Sequence, residues 1–225
     1  TPREAREQHN DLAGFILAVV GVVYAVLLAF VAIGVWERFV QAERETYDEA
    51  TNLTVVYRDA GSFPHGQALR AELREYVVHV IDDEWPKMRK GERSASARAL
   101  VEAVDREVRD LPADTPRLQN IQAQMLSSME QALSDRDYRL DMQATGINGI
   151  MWFVLVAGAL VTVAFTYLFG FKQTLMQQLM IGSLSLLVGL ILFLTVALDF
   201  PFRGDLRVGP DAFENALRVF SYIKR

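Results

Sequence analysis

The side chains that usually carry catalysis are thinly spread along this 225-residue chain. It contains no cysteine, which excludes thiolate nucleophiles, sulfur-ligated metals and disulfides. His9, His65 and His79 stand far apart, and none has a partner at metal-ligand spacing. Neither a phosphate-cradling glycine loop nor a nucleophile elbow occurs. The acidic run Asp82-Asp83-Glu84 has the charge to bind a divalent cation, but a solvated helix end is the simpler reading. Neither an enzyme nor a bound cofactor or metal is therefore expected.

One pattern does suit a physical task. Val22, Val26, Phe30 and Ile33 follow one another at steps of four, four and three, which is one ridge of a helix. Copies of that ridge gathered around a symmetry axis make stacked apolar rings, and such a constriction gates ions by dewetting. Glu37, Gln41, Arg44 and Asp48 continue the ridge, adding two acidic rings against one basic ring. Rings of carboxylate attract cations. The same spacing also fits a ridge that merely packs against neighbouring helices, and spacing alone leaves that plainer reading ahead.

The elements that must position these residues follow from the distribution of the 51% apolar content. Three stretches carry no charge: Leu12 to Trp36, Gly146 to Phe171 and Gln173 to Leu198. Each exceeds the roughly 20 helical residues that cross a bilayer. The first runs into Trp36-Glu37-Arg38-Phe39 without a cleavage site, so it reads as a permanent span and not as a signal peptide. The expected division is an external segment over 1–11, spans over 12–36, 146–171 and 175–198, a helical cytoplasmic domain over 37–145 and a cytoplasmic C-terminal segment over 199–225.

Basic residues near the span ends set the orientation. Arg38, Arg44, Arg136, Arg139, Arg203, Arg207 and Arg218 lie on the side of the large domain, against Arg3, Arg6 and Lys172 on the other. The large domain is thus expected in the cytoplasm, where the sequon Asn52-Leu53-Thr54 stays unglycosylated. A chain that opens on Thr1 outside the cell suggests a further N-terminal span ahead of it. The net charge of −5 forms no basic stripe, so nucleic acid is not an expected partner.

Between the spans the periodicity predicts helices. The first span is expected to continue as one helix over about 12–60, capped by Asn10 or Asp11 and stopped by Gly61, with Trp36, Val40, Tyr47, Ala50, Thr54 and Tyr57 on its packed face. A second helix carries Leu69, Leu73, Tyr76, Val77, Val80 and Ile81 and should end before Trp85-Pro86. Ser94 or Ser96 opens a third, and Thr115-Pro116 a fourth. Asp211 caps a short terminal helix. Gly158, Thr162, Thr166 and Gly170 line the second span, and Ser185 and Gly189 the third, as small residues that permit close packing in lipid.

Several of these stretches together resemble the bestrophin-like family of bacterial membrane proteins: Val23-Tyr24-Ala25-Val26-Leu27-Leu28-Ala29-Phe30, Trp36-Glu37-Arg38, Glu84-Trp85-Pro86 and Leu198-Asp199-Phe200-Pro201-Phe202-Arg203-Gly204. The likeness covers the chain from His9 onward. It is more distantly similar to the bestrophins, pentameric anion channels whose second span forms an apolar neck. Leu28-Ala29-Phe30 and Trp36-Glu37-Arg38 fall at the offsets of the neck sequence and the aromatic-acid-Arg group of the bacterial members. The resemblance thereby implies Phe30, Val26 and Val22 as neck side chains. Val31 stands where those members have an arginine, and the calcium-binding acidic cluster of the animal proteins has no clear counterpart.

The expectation is an all-α membrane protein forming a homo-oligomeric ion channel with an apolar neck gate and passive conduction in the bacterial inner membrane, a pentamer by resemblance, with lipid and inorganic ions as its partners. Resemblance favours chloride. The alternatives are a cation-selective channel of the same build, suggested by Glu37 and Asp48, and a non-conducting membrane-anchored scaffold or sensor.

Overall fold

The computed structural model describes residues 3–167 and 175–223, with side chains from Leu12 onward. Among the described residues the regular elements are helical: α1 (Arg3–Ala60), α2 (Gly66–His79), α3 (Trp85–Met88), α4 (Ala95–Asp110), α5 (Pro116–Ala144), α6 (Gly149–Thr166), α7 (Leu175–Asp199) and α8 (Asp211–Tyr222). A π-helical turn, Val80–Glu84, joins α2 to α3. The expected 171–175 turn, with Lys172, falls outside the described residues except for Leu175, and so does Gly170.

No proline interrupts α1, and its 58 residues amount to about 87 Å of helical rise. It passes straight through Asn10 and Asp11, so neither caps it. It ends at Ala60, where Gly61 begins a turn. The buried stripe agrees with the expected one in part: Ala50 is buried and Tyr57 packs against the core, but the rest is shifted around the helix. Val35, Ala42, Thr46, Glu49, Leu53, Val56 and Ala60 are buried, whereas Trp36 and Tyr47 are exposed. Aliphatic and small side chains with one acid therefore replace Trp36 and Tyr47 on the packed face.

Helix starts follow side-chain capping where a polar residue is placed for it. Ser94 Oγ accepts from Ala97 N at 3.1 Å and Thr115 Oγ1 from Leu118 N at 3.2 Å. Asn148 Oδ1 likewise accepts from Ile150 N at 3.0 Å. Asp211 is not the cap of α8 but its first residue, with Pro210 before it. Helix α2 ends at His79, ahead of Trp85-Pro86 as expected, but the helical path runs on through the π turn into α3. The widened π turn bonds Trp85 N to Val80 O and leaves room for the proline ring, which would clash in a regular helix.

The chain divides into two units, Thr1–Glu37 with Gly146–Asp199, and Arg38–Thr145 with Phe200–Arg225. In the first, α1 from Leu12, α6 and α7 are long and apolar enough to cross a membrane. Tyr24 and Leu28 of α1 pack with Leu155 and Ala159 of α6 and Val188 of α7. Thr162 and Thr195 return their hydroxyls to carbonyls one turn back, each at 2.8 Å, so these polar groups are satisfied inside their own helices. Asp199 Oδ1 accepts from Ile147 N at 2.7 Å and Oδ2 from Trp152 Nε1 at 3.3 Å, tying the end of α7 to the start of α6.

The second unit is built around Leu53, Leu69, Leu73, Tyr76, Met88, Val101, Val104, Met125 and Met129. Trp85 meets Phe202 and Phe213 edge-on at 5.9 and 5.5 Å and donates from Nε1 to Val208 O at 3.4 Å. Phe202, Phe213 and Phe220 are fully buried, contributing together about 5–9 kcal/mol, enough to hold the C-terminal segment in this core. Two of the motifs quoted above, around Trp85 and Phe202, thus meet in one packed cluster.

Candidate functional site: an exposed ridge on the first helix

A helix turns about 100° per residue, so Val22, Val26, Phe30 and Ile33 fall within about 80° of arc. They are 63%, 50%, 71% and 54% exposed. The buried stripe lies about 165° around the helix from the ridge, on the same geometry. Tyr24 and Leu28, from that stripe, face α6 and α7. Val31, in the position where the resemblance expects arginine, is half-buried against the same cluster. The ridge is therefore not the surface by which α1 packs within the chain.

Beyond the apolar part, Glu37, Arg44 and Asp48 are exposed and Gln41 is half-buried, donating from Nε2 to Glu45 Oε1. Asp135 of α5 lies near Glu45 and Asp48. Burial, with Glu45 and Asp48 near it, raises its carboxyl to about 6, although Asn52 Nδ2 donates to Asp135 Oδ2 at 3.1 Å and pulls the other way.

Behind the ridge, α1 is held by a buried charge cluster that the sequence reading did not single out. Arg139 of α5 donates from Nε to Glu49 Oε2 at 2.7 Å and from one terminal nitrogen to Glu49 Oε1 at 3.0 Å and Glu84 Oε1 at 2.7 Å. Arg136 donates to Glu84 Oε2, and Tyr76 Oη to Glu49 Oε1 at 3.3 Å. The Arg139 guanidinium also stands 4.9 Å from the Trp85 ring centre. Two carboxylates face two guanidiniums, so the cluster is neutral as a whole.

The two acids respond differently. Burial raises Glu49 above the usual carboxylate range, helped by the charge of Glu84 and opposed by Arg139. Burial also works against ionised Glu84, but Arg139 and Arg136 outweigh it and hold Glu84 low. Burial places the Tyr76 hydroxyl well above its ordinary value.

The acidic run Asp82-Asp83-Glu84 is thus not a solvated helix end throughout. Glu84 is buried in the cluster, swung inward by the π turn. Asp83 takes Lys87 Nζ at 2.7 Å, Ser94 Oγ and Ser96 Oγ at 3.1 Å, and these hold its carboxyl near 2, the lysine first. His79 Nε2 lies 2.7 Å from Ser96 Oγ and 3.3 Å from Asp83 Oδ2; with one ring nitrogen serving both, this is no catalytic triad. Among the described residues no group of acids and histidines has the geometry of a metal site. The signal that marks Glu49 in the sequence is its spacing, since it interrupts the stripe Ala42, Thr46, Leu53, Val56 with a charge.

The bestrophin-like domain family matches residues 1–213. A bacterial bestrophin homologue from Klebsiella pneumoniae, in a point-mutant form, superposes with a TM-score of 0.73 at 12% identity, covering 97% of each chain. A second mutant form of that homologue gives 0.71 at 12% identity over 92% of this chain and 86% of the other. A crystal structure described only as a membrane protein gives 0.74 at 12% identity over the same shares. These likenesses establish the fold. No curated protein matches the sequence.

Proposed function

Because the chain belongs to the bestrophin-like family, we propose that it is a subunit of a homo-oligomeric ion channel and not an enzyme. On this reading five copies surround an axis in a bacterial inner membrane, with the helical unit in the cytoplasm, lipid around the spans and inorganic ions on the axis. The observation that carries it is the exposed stripe Val22, Val26, Phe30 and Ile33, set opposite the face by which α1 is held. Its polar continuation through Glu37, Arg44 and Asp48 is exposed on the same side, leaving one face of α1 open to other copies along its length. Val22, Val26 and Phe30 then form the rings of the gate, and conduction is passive. The charge-free stretches leave proton-coupled transport without the intramembrane ionisable groups it needs.

Resemblance to the bestrophins favours chloride as the permeant ion. The exposed acids Glu37 and Asp48 against Arg44 alone favour a cation on the same axis. A planar-bilayer recording under a potassium chloride gradient tests the whole reading. The sign of the reversal potential separates anion from cation selectivity. An oligomer that inserts and never conducts would leave the scaffold alternative in its place.

A further inference from the structure

A second feature lies in the helical unit, away from the ridge. Where α1 ends, the turn beginning at Gly61 sends α2 back so that Arg70 reaches the last turn of α1. Arg70 Nε donates to Tyr57 O at 2.8 Å and a terminal nitrogen to Arg58 O at 3.1 Å. A β-carbon on Gly61 would stand 2.1 Å from that nitrogen, so only glycine lets the guanidinium lie there. The Arg70 Cζ is 5.1 Å from the centre of the Tyr57 ring, and that ring stacks on Phe220 of α8 at 3.9 Å, 3° from parallel.

Beside these groups opens a cavity of about 660 Å³, lined by Tyr57, Gln67, Arg70, Arg74, Phe220 and Ser221 with two aliphatic side chains. That volume lies in the range of small-ligand sites. Its lining carries two guanidiniums and no carboxylate, in a chain of net charge −5. Arg70 and Arg74 are one helical turn apart, where like charges repel. Neither forms an ion pair with any described carboxylate. The two carbonyls that Arg70 holds carry only the partial charge of a helix end, and they use two of its five N–H groups. The cavity is therefore electropositive, with a flat aromatic wall.

We propose that this cavity binds a small organic oxyanion, a carboxylate or phosphate carried on a flat apolar body. Exposed Arg74 and the remaining N–H groups of Arg70 hold the oxyanion with charge-assisted bonds. The Tyr57 and Phe220 pair takes the flat body, and Gln67 and Ser221 stand at the rim.

The test is calorimetric titration of the full chain in mild detergent with benzoate, adenosine monophosphate, inorganic phosphate and benzyl alcohol. Benzoate and the nucleotide should bind saturably and more weakly at high salt, inorganic phosphate more weakly than the nucleotide, and uncharged benzyl alcohol not at all. The stronger of the two organic probes identifies the oxyanion as carboxylate or phosphate. Arg74→Ala should weaken binding about tenfold or more, the worth of a charge-assisted hydrogen bond, and Arg74→Glu should abolish it. Arg74 is exposed, so both variants should melt with the parent. The proposal is overturned if neither organic probe binds up to about 10 mM, or if Arg74→Glu binds as the parent does. It is equally overturned if a neighbouring copy fills the cavity, seen as no uptake by the parent together with a smaller oligomer for Arg74→Glu. None of these readouts involves conduction, so their failure leaves the channel reading untouched.

Discussion

Arg139 holds both oxygens of Glu49, at 2.7 and 3.0 Å, across 90 residues of sequence, and the same side chain reaches Glu84 at 2.7 Å. One guanidinium on α5 thereby fastens α1 to the π turn, at a place buried from solvent.

The consequences of removing each partner are unequal. Arg139→Met leaves Glu49 without the guanidinium that pairs with it, and breaking a buried pair in this way costs about 3–5 kcal/mol. Glu49→Gln leaves Arg139 still paired with Glu84 and keeps a hydrogen-bond acceptor, so its cost should be clearly smaller. Thermal melts of the two variants check the order, and a Glu49→Gln protein less stable than Arg139→Met would refute this account of the cluster.

Asp135 makes stability depend on pH in a defined direction. Its carboxyl is raised from 3.8 to about 6 in the folded protein, so the folded state binds its proton more tightly than the unfolded state does. The contribution is fully present below 3.8 and is lost as pH rises through about 6. Asp135→Asn should therefore be more stable than the parent at pH 7, with the gap closing as pH falls towards 4. A gap that stays constant over that range would rule out Asp135 as its source.

Phe30 and Leu28 are two residues apart on α1 and lie on opposite faces, 71% and 4% exposed. On the proposed function, Phe30→Ala widens the narrowest ring and should raise single-channel conductance with assembly intact. Leu28→Ala opens a cavity against α6 and α7, costing about 2–5 kcal/mol, and should lower the yield of oligomer without raising conductance. If Phe30→Ala assembles normally and conducts no better than the parent, the gate assignment is lost.

Tyr24 supplies a fourth test. A β-carbon on Gly158 would lie 2.4 Å from its ring, so Gly158→Leu should force α1 and α6 apart and lower the melting temperature. The Tyr24 hydroxyl is buried without a hydrogen-bond partner among the described residues. Tyr24→Phe should hence be neutral or stabilising. A marked loss of stability in Tyr24→Phe would mean that the hydroxyl gains a partner in the assembled protein.

Part of this architecture lies open in the chain order itself. Three charge-free stretches, the helical spacing of Val22, Val26, Phe30 and Ile33, and caps such as Ser94 and Thr115 are local properties, because a helix repeats within a few residues and satisfies its own backbone. The all-helical class follows from such patterns, and the family likeness from particular stretches such as Trp36-Glu37-Arg38 and Glu84-Trp85-Pro86. Which face of α1 packs follows only in part, since Trp36 and Tyr47 advertise positions that the folded chain leaves exposed, while Ala42, Thr46 and Glu49 are buried. The pairing of Glu49 with Arg139, of Trp85 with Phe202 or of Tyr24 with Gly158 does not, because each joins residues more than 80 positions apart. Charge and size state what a side chain can do, but only the tertiary structure, by bringing distant helices together and excluding water, decides which partner it meets.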